Sequence, residues 1–155
     1  AGTDTWVVDY SSLGVNTAVS LLAAGSTFTV GATGAQVKNF EALRISTGSL
    51  NDTILTIAVL GNDSISTGAG DDTIASGLGN DTVNGGDGTD VLRLDYSGST
   101  QDVQSFYTSG GWYRYQDGRE HIPPTTSVDY YGIERFNVTG GREMHLKEID
   151  ASKKK

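Results

Sequence analysis

The sequence predicts an all-β fold in which short parallel strands form a flattened right-handed coil with β-rich blocks on either side. Three observations predict it: a nine-residue repeat, abundant glycine with little proline, and a cluster of aspartates. The chain has 21 Gly and 2 Pro among 155 residues, and 36% of its residues are hydrophobic. This composition argues against a large helical core and against a proline-rich disordered chain. The glycines are expected where the backbone needs positive φ or close approach.

The repeat is clearest from Thr67 onward, where blocks of nine read TGAGDDTIA, SGLGNDTVN and GGDGTDVLR. Glycine recurs at positions two and four, aspartate at position six and an aliphatic residue at position eight. One block upstream, AVLGNDSIS keeps Gly61 and Asp63. Two inserted residues further back, TGSLNDTIL keeps Gly48 and Asp52 but lacks the second glycine.

The pattern has a mechanical interpretation. The glycine-rich positions turn the chain, the aspartate points its carboxylate inward, and the aliphatic residue lies on a short strand facing a thin core. Successive strands run on opposite sides of the coil, so every second loop stacks on the same edge. This places Asp63 and Asp81 on one edge, and Asp52, Asp72 and Asp90 on the other.

A cation between stacked loops would collect backbone carbonyls and two carboxylates. That is the all-oxygen shell that calcium prefers. Zinc is disfavoured because the array contains no Cys or His. The alternative is a series of Gly/Asp-rich turns that binds nothing. However, each turn buries about one aliphatic side chain, about 2 kcal/mol, whereas ordering nine residues costs several times as much.

These blocks resemble the RTX, or hemolysin-type, calcium-binding repeats over about residues 47–93. The resemblance implies a right-handed parallel β-roll, calcium ions between stacked loops, and export from a bacterium by a type I-like route to the cell surface or exterior. Two to three Ca²⁺ ions are expected, and the pair Asp72 and Asp90 is the strongest candidate site. The predicted metal-binding residues are Asp52, Asp63, Asp72, Asp81, Asp90, Gly61, Gly68, Gly70, Gly77, Gly79, Gly86 and Gly88.

A second repetition surrounds the array. TDTWVVDYSSL at residues 3–13 resembles TDVLRLDYSGS at 89–99, and FEALRISTG at 40–48 resembles IERFNVTGG at 133–141. We therefore predict four segments: a β-rich linker or capping block at 1–46, the calcium-binding roll at 47–93, a second, aromatic capping block at 94–146, and a flexible tail at 147–155. The parent protein would alternate such arrays with linker blocks, and neighbouring repeat blocks would be its partners.

Charge and composition exclude several functions. The net charge is −8, and 14 of the 19 acidic residues are Asp. Clustered carboxylates disfavour nucleic acid and anionic membranes as partners. With no Cys, disulfides, thiolate metal sites and Cys nucleophiles are excluded. No signal peptide or apolar run of membrane-spanning length is visible, and we interpret the chain as an excised, monomeric fragment.

No catalytic constellation is recognisable, so the chain is not expected to be an enzyme. His121 and His145 lack metal-ligand spacing, and the adjacent Asp71 and Asp72 would point apart on a strand. The expected function is a calcium-binding structural module that folds on Ca²⁺ outside the cell, within a larger adhesin or toxin-like protein. The alternative is a carbohydrate- or ligand-binding module of an extracellular enzyme or adhesin. A glycan or protein would then bind the aromatic residues Phe106, Tyr107, Trp112, Tyr113 and Tyr115. The favoured interpretation is that alternate aromatic residues pack the cap while their neighbours lie on its exposed face.

Overall fold

The computed structural model describes residues 2–20, 40–56, 61–97 and 127–140, together with the backbone of five further strands at 28–29, 36–37, 103–107, 113–117 and 144–146. Every regular element in these residues is a strand. In chain order they are β1 (Thr5–Asp9), β2 (Ala18–Ser20), β3 (Phe28–Thr29), β4 (Gln36–Val37), β5 (Ala42–Ser46), β6 (Thr53–Leu55), β7 (Ser64–Ser66), β8 (Thr73–Ala75), β9 (Asn80–Asn84), β10 (Val91–Tyr96), β11 (Val103–Tyr107), β12 (Tyr113–Asp117), β13 (Ser127–Tyr131), β14 (Arg135–Gly140) and β15 (Met144–Leu146).

The strands form two principal sheets. One has the order β1-β5-β7-β9-β13-β12-β11-β15 and the other β14-β10-β8-β6-β2, while β3 and β4 pair separately. From β5 to β10, successive strands alternate between the two sheets, and every pairing among β1, β5, β7, β9 and β13, or among β2, β6, β8, β10 and β14, is parallel. The predicted all-β parallel roll is therefore confirmed. No helix among the described residues has the length and apolar character needed to cross a membrane.

The core is a row of aliphatic side chains between the two sheets. In one sheet Ile45 pairs with Ile65, and Ile65 with Val83. In the other sheet, Ile54 pairs with Ile74. The aliphatic residue at position eight of each described repeat is at most 2% exposed. The prediction that this position faces the core is confirmed. Each rung contributes about one such side chain, so the apolar core is thin.

The flanking blocks continue the same roll. Val19 and Leu43 from the first block, and Val128 and Tyr130 from the second, belong to the same buried cluster as the repeat residues. Trp6 packs against it as well, with Phe40 beside its ring at a centroid distance of 5.6 Å. The second block also adds antiparallel strands, because β12 pairs antiparallel with both β13 and β11.

The internal duplication is visible in the strand pairing. β1 lies parallel to β5 with Thr5 beside Ala42, and β10 lies parallel to β14 with Val91 beside Arg135. The Asp-Tyr-Ser segment of each copy makes the same turn, in which the serine N–H donates to the aspartate Oδ1 at 2.9 Å. A side chain on Gly48 would lie 2.6 Å from the Leu13 carbonyl oxygen, so the Thr-Gly of one rung stacks on the turn of the rung before it.

Candidate metal centre

The glycines of the repeat give the loops their conformation. Positive φ angles occur at the second and fourth positions of the three clearest repeats, namely Gly68, Gly70, Gly77, Gly79, Gly86 and Gly88. Gly86 shows why no other residue fits. Its φ is 101°, and a methyl group built on its α-carbon would collide with the carbonyl oxygen of Gly68 in the stacked loop. The loops therefore lie so close that backbone oxygens of one loop face the backbone of the next.

Stacking occurs along two edges of the roll, as the alternation of strands requires. On the first edge, Gly86 lies over Gly68 and Gly68 over Gly48. On the second edge, Gly79 lies over Gly61, and Gly61 over Glu41. Gly61, Gly79 and the other predicted glycines thus line the loops, and their role as carbonyl ligands stays a prediction.

The sixth-position aspartates form a ladder along the first edge. The N–H of Asp52 donates to Oδ1 of Asp72 at 2.7 Å, and the N–H of Asp72 donates to Oδ1 of Asp90 at 2.9 Å. Oδ1 of Asp52 in turn accepts from the N–H of Thr17 at 2.6 Å. On each rung the carboxylate therefore reaches back to the preceding loop, which brings negative charges on successive rungs into one row.

The second edge has the same arrangement. The N–H of Asp63 donates to Oδ1 of Asp81 at 2.9 Å, and the N–H of Leu43 donates to Oδ1 of Asp63 at 2.8 Å. The sequence prediction of which aspartates are neighbours, Asp63 with Asp81 on one edge and Asp52, Asp72 and Asp90 on the other, is confirmed.

These carboxylates are buried, and most have one oxygen without a partner. All five aspartates are at most 2% exposed. The Oδ2 atoms of Asp52, Asp72, Asp81 and Asp90 have no hydrogen-bond partner among the described residues. Oδ2 of Asp63 accepts from the hydroxyl of Thr56 at 3.0 Å. The side chains of Thr67 and Ser76 also lower the pKa of Asp72 and of Asp81, but neither satisfies the Oδ2 atom of its aspartate. A buried, unsatisfied carboxylate oxygen is costly, so a further ligand is expected at each of the other four.

Burial raises the pKa of Asp63, Asp72, Asp81 and Asp90, which reflects the same cost. Burial raises the pKa of Asp81 from 3.8 to about 7, and it raises the pKa of Asp63 and of Asp90 to about 6. The pKa of Asp72 is raised too, first by burial and then by the charges of Asp52 and Asp71. Hydrogen bonds from backbone amides oppose each shift without cancelling it. Without a cation, burial in the folded loops thus makes the charged form of these carboxyl groups more costly than it is in water.

The donor set fits calcium. Among the described residues, no three His, Cys, Asp or Glu side chains are gathered in a group that could hold a metal ion. An ion between two loops would therefore take its remaining ligands from backbone carbonyls, such as those of Gly68 and Gly70, which closely approach the stacked loop. Carboxylate and carbonyl oxygens in a loop that can adjust its geometry suit Ca²⁺ better than Zn²⁺ or Mg²⁺.

Sequence reasoning missed several contributors to the loops. Glu41 and Glu134 continue the pattern of backbone-to-carboxylate hydrogen bonds outside the array, because their Oε2 atoms accept from the N–H groups of Asp4 and Asp90 at 2.9 Å. The signal for them was the internal duplication, in which both glutamates occupy equivalent places. The hydroxyl of Thr67, which replaces the first glycine of its repeat, donates to the carbonyl of Gly85 at 2.9 Å and links two rungs.

A second, exposed ladder runs beside the first. The N–H of Asp71 donates to Oδ1 of Asn51 at 3.0 Å, and Oδ1 of Asp71 accepts from the N–H of Thr89 at 2.9 Å. The Asp71 carboxylate therefore accepts from the loop of Thr89, whereas the Asp72 carboxylate accepts from the loop of Asp52, as expected of side chains that point apart. The predicted ligand surface at Phe106, Tyr107, Trp112, Tyr113 and Tyr115, and the two histidines, lie outside the residues whose side chains the structure describes.

Comparison with known families agrees with the geometry. Residues 57–92 match the RTX calcium-binding nonapeptide repeat in four copies. The degenerate Asp52 block lies outside the matched residues, although its carboxylate belongs to the same ladder. Comparison with curated proteins gave no match. The segment 57–92 is an array of calcium-binding RTX repeats, a structural element of a parallel β-roll.

Proposed function

We propose that this RTX array is a folding switch: the chain folds when calcium enters its loops, and it serves as a structural module, not as an enzyme. One observation carries the proposal. Asp52, Asp72 and Asp90 stack on one another through their backbone amides, and Asp81 stacks on Asp63 in the same way. Four of these five buried aspartates, all but Asp63, keep an oxygen without a partner among the described residues. Like charges in such a row repel, and a divalent cation neutralises two of them at once.

The energetics favour folding coupled to binding. The core holds about one aliphatic side chain per rung, which contributes about 2 kcal/mol against the larger cost of ordering nine residues. The loop ligands come from separate rungs and do not meet in an unfolded chain. The free energy of calcium binding would therefore appear as free energy of folding.

Three pairs of facing aspartates supply the sites. Asp72 with Asp90 and Asp52 with Asp72 lie on the first edge, and Asp63 with Asp81 on the second. This arrangement supports two to three ions. The Asp63–Asp81 pair is the weakest candidate, because the Thr56 hydroxyl already satisfies one oxygen of Asp63.

The expected calcium affinity indicates whether the chain would fold inside or outside the cell. Extracellular calcium modules have dissociation constants of about 0.1–1 mM, far above cytosolic calcium. We propose that the chain is part of a larger secreted protein, that it stays unfolded before export, and that it folds outside the cell. Within it, residues 47–93 would hold the ions, and the blocks 1–46 and 94–146 would close the ends of the roll. An adhesin or a toxin-like protein would use such a module.

The proposal is tested by far-UV circular dichroism of the chain in chelator and during a calcium titration, with magnesium as the control ion. The expected result is little β-structure in chelator, a cooperative gain of β-structure between about 0.1 and 10 mM calcium, and no comparable gain with magnesium. A spectrum of folded β-structure in chelator that calcium leaves unchanged would refute the switch.

A further inference from the structure

The last loop of the array meets the second flanking block at a pair of acidic residues. The N–H of Asp90 donates to Oε2 of Glu134 at 2.9 Å. This bond repeats the one by which Asp72 donates to Asp90. The pairing of β10 with β14 places Val91 beside Arg135, so Glu134 lies beside Asp90 on the next rung. Glu134 therefore stands where the sixth-position aspartate of another repeat would lie.

The loop that carries Glu134 is a shortened version of a repeat loop. Gly132 has a φ of 61° and lies against Gly86, much as Gly86 lies against Gly68. Gly132 precedes Glu134 by two positions, whereas Gly86 precedes Asp90 by four. The additional methylene of glutamate lets its carboxylate reach the Asp90 amide from this shorter loop. The nonapeptide pattern does not detect such a loop, because the spacing and the residue type both change.

A buried oxygen faces this junction. Asp90 is fully buried, and its Oδ2 has no hydrogen-bond partner among the described residues. A methyl group built on Gly85 would collide with both this oxygen and the carbonyl oxygen of Gly132, so the two oxygens converge on the same point. At Asp63 the hydroxyl of Thr56 satisfies the equivalent oxygen, but Gly85 has no side chain to do so.

We infer that Asp90, Glu134 and the carbonyl oxygen of Gly132 form a further calcium site, which we term the junction site, between the array and the second flanking block. The site rests on the proposed function. It would bind the flanking rung to the array by the same ion that stabilises the repeats, and thereby extend calcium-dependent folding to β14.

The duplicated unit supplies a matched control for the test. Oε2 of Glu41 accepts from the N–H of Asp4 at 2.9 Å, the same bond that Glu134 makes with Asp90. Asp4, however, is exposed, whereas Asp90 is buried with an unsatisfied oxygen. In both Glu134→Gln and Glu41→Gln, the amide oxygen can still accept the backbone hydrogen bond, so each variant removes charge and leaves the bond.

The experiment counts calcium ions on the whole chain by native mass spectrometry and isothermal titration calorimetry. Glu134→Gln is expected to bind one ion fewer than the wild type, and hydrogen exchange in Arg135–Gly140 should become faster in calcium. Glu41→Gln should keep the wild-type count. Equal counts in Glu134→Gln and the wild type would overturn the junction site, whereas a wild type that binds no calcium would overturn the proposed function instead.

If Glu134→Gln does not fold, the wild type decides the question. Anomalous scattering from a crystal of the calcium-bound chain should show a calcium peak between Asp90 and Glu134. Calcium peaks confined to the aspartate pairs of the array, with none at Glu134, would exclude the junction site.

Discussion

Replacing Asp72 by asparagine should change stability in opposite directions with and without calcium. Asp72 lies in the middle of the first-edge ladder and faces both Asp52 and Asp90. Asparagine keeps an oxygen that can accept the Asp52 N–H, so the ladder bond is retained while the charge is lost. With calcium the variant lacks a ligand. Without calcium the variant no longer buries the Asp72 carboxylate, whose pKa is raised by burial in the wild type.

The magnitude follows from the two inter-loop pairs that Asp72 joins. At about 10 mM free calcium and a dissociation constant of about 0.1–1 mM, one occupied site stabilises the fold by about 1.4–2.7 kcal/mol. If Asp72 contributes to both sites, Asp72→Asn should lower the free energy of unfolding in calcium by about 3–5 kcal/mol.

The assay is urea unfolding in calcium, followed by circular dichroism, with a second spectrum of each protein in chelator. The matched control is Asp71→Asn, which alters the neighbouring exposed carboxylate while keeping an acceptor for the Thr89 N–H. The control should stay within about 0.5 kcal/mol of the wild type. In chelator, Asp72→Asn should show more β-structure than the wild type. Equal losses for the two variants in calcium would refute the assignment of Asp72 as a ligand.

Two further predictions concern protons and backbone packing. The pKa of Asp81 is raised to about 7 in the folded chain. The stabilisation that protonation of Asp81 gives the metal-free fold is therefore complete below about pH 4 and is lost as the pH rises through about 7. Circular dichroism in chelator should show β-structure increasing as the pH is lowered from 7.5 to 5. Gly86→Ala should lower the free energy of unfolding in calcium by at least about 1–3 kcal/mol, because the added methyl group would collide with the Gly68 carbonyl. The control is Gly14→Ala, which should be nearly neutral in urea unfolding because a methyl group at Gly14 would have no neighbour within 4 Å.

Opposite results in the pH experiment or the Gly86→Ala experiment would contradict these predictions. A loss of β-structure on acidification in chelator would mean that the buried carboxyl groups are not the main obstacle to metal-free folding. If Gly86→Ala unfolded at the same urea concentration as Gly14→Ala, the loops would have to stack less closely than the structure shows.

Much of the fold could be predicted from the sequence because the same nine-residue pattern occurs several times. The residues Ile74, Val83 and Leu92 fall at one position, and all three prove fully buried. Strand alternation then follows from the nine-residue period, and with it the assignment of Asp72 and Asp90 to one edge. A strictly local period is enough here, because each rung contacts chiefly its neighbours in the roll.

The flanking blocks could be predicted only in part. Their duplication was visible, but the register that pairs Val91 with Arg135 arises from contacts between residues more than forty positions apart. Glu134 does not match the nonapeptide pattern, and although the duplication marks its position, its role appears only when the chain folds back and places its carboxylate on the Asp90 amide.

The sequence by itself determined the parallel roll, its thin aliphatic core and the two rows of aspartates. The nine-residue period fixes both where the chain turns and which side chains face the core. Only the tertiary structure decided which carboxylate oxygens remain unsatisfied. Whether an oxygen has a partner depends on what the neighbouring rung presents, a Thr56 hydroxyl for Asp63 but no side chain at Gly85 for Asp90. That neighbour is set by stacking between rungs, not by the order of residues within one of them.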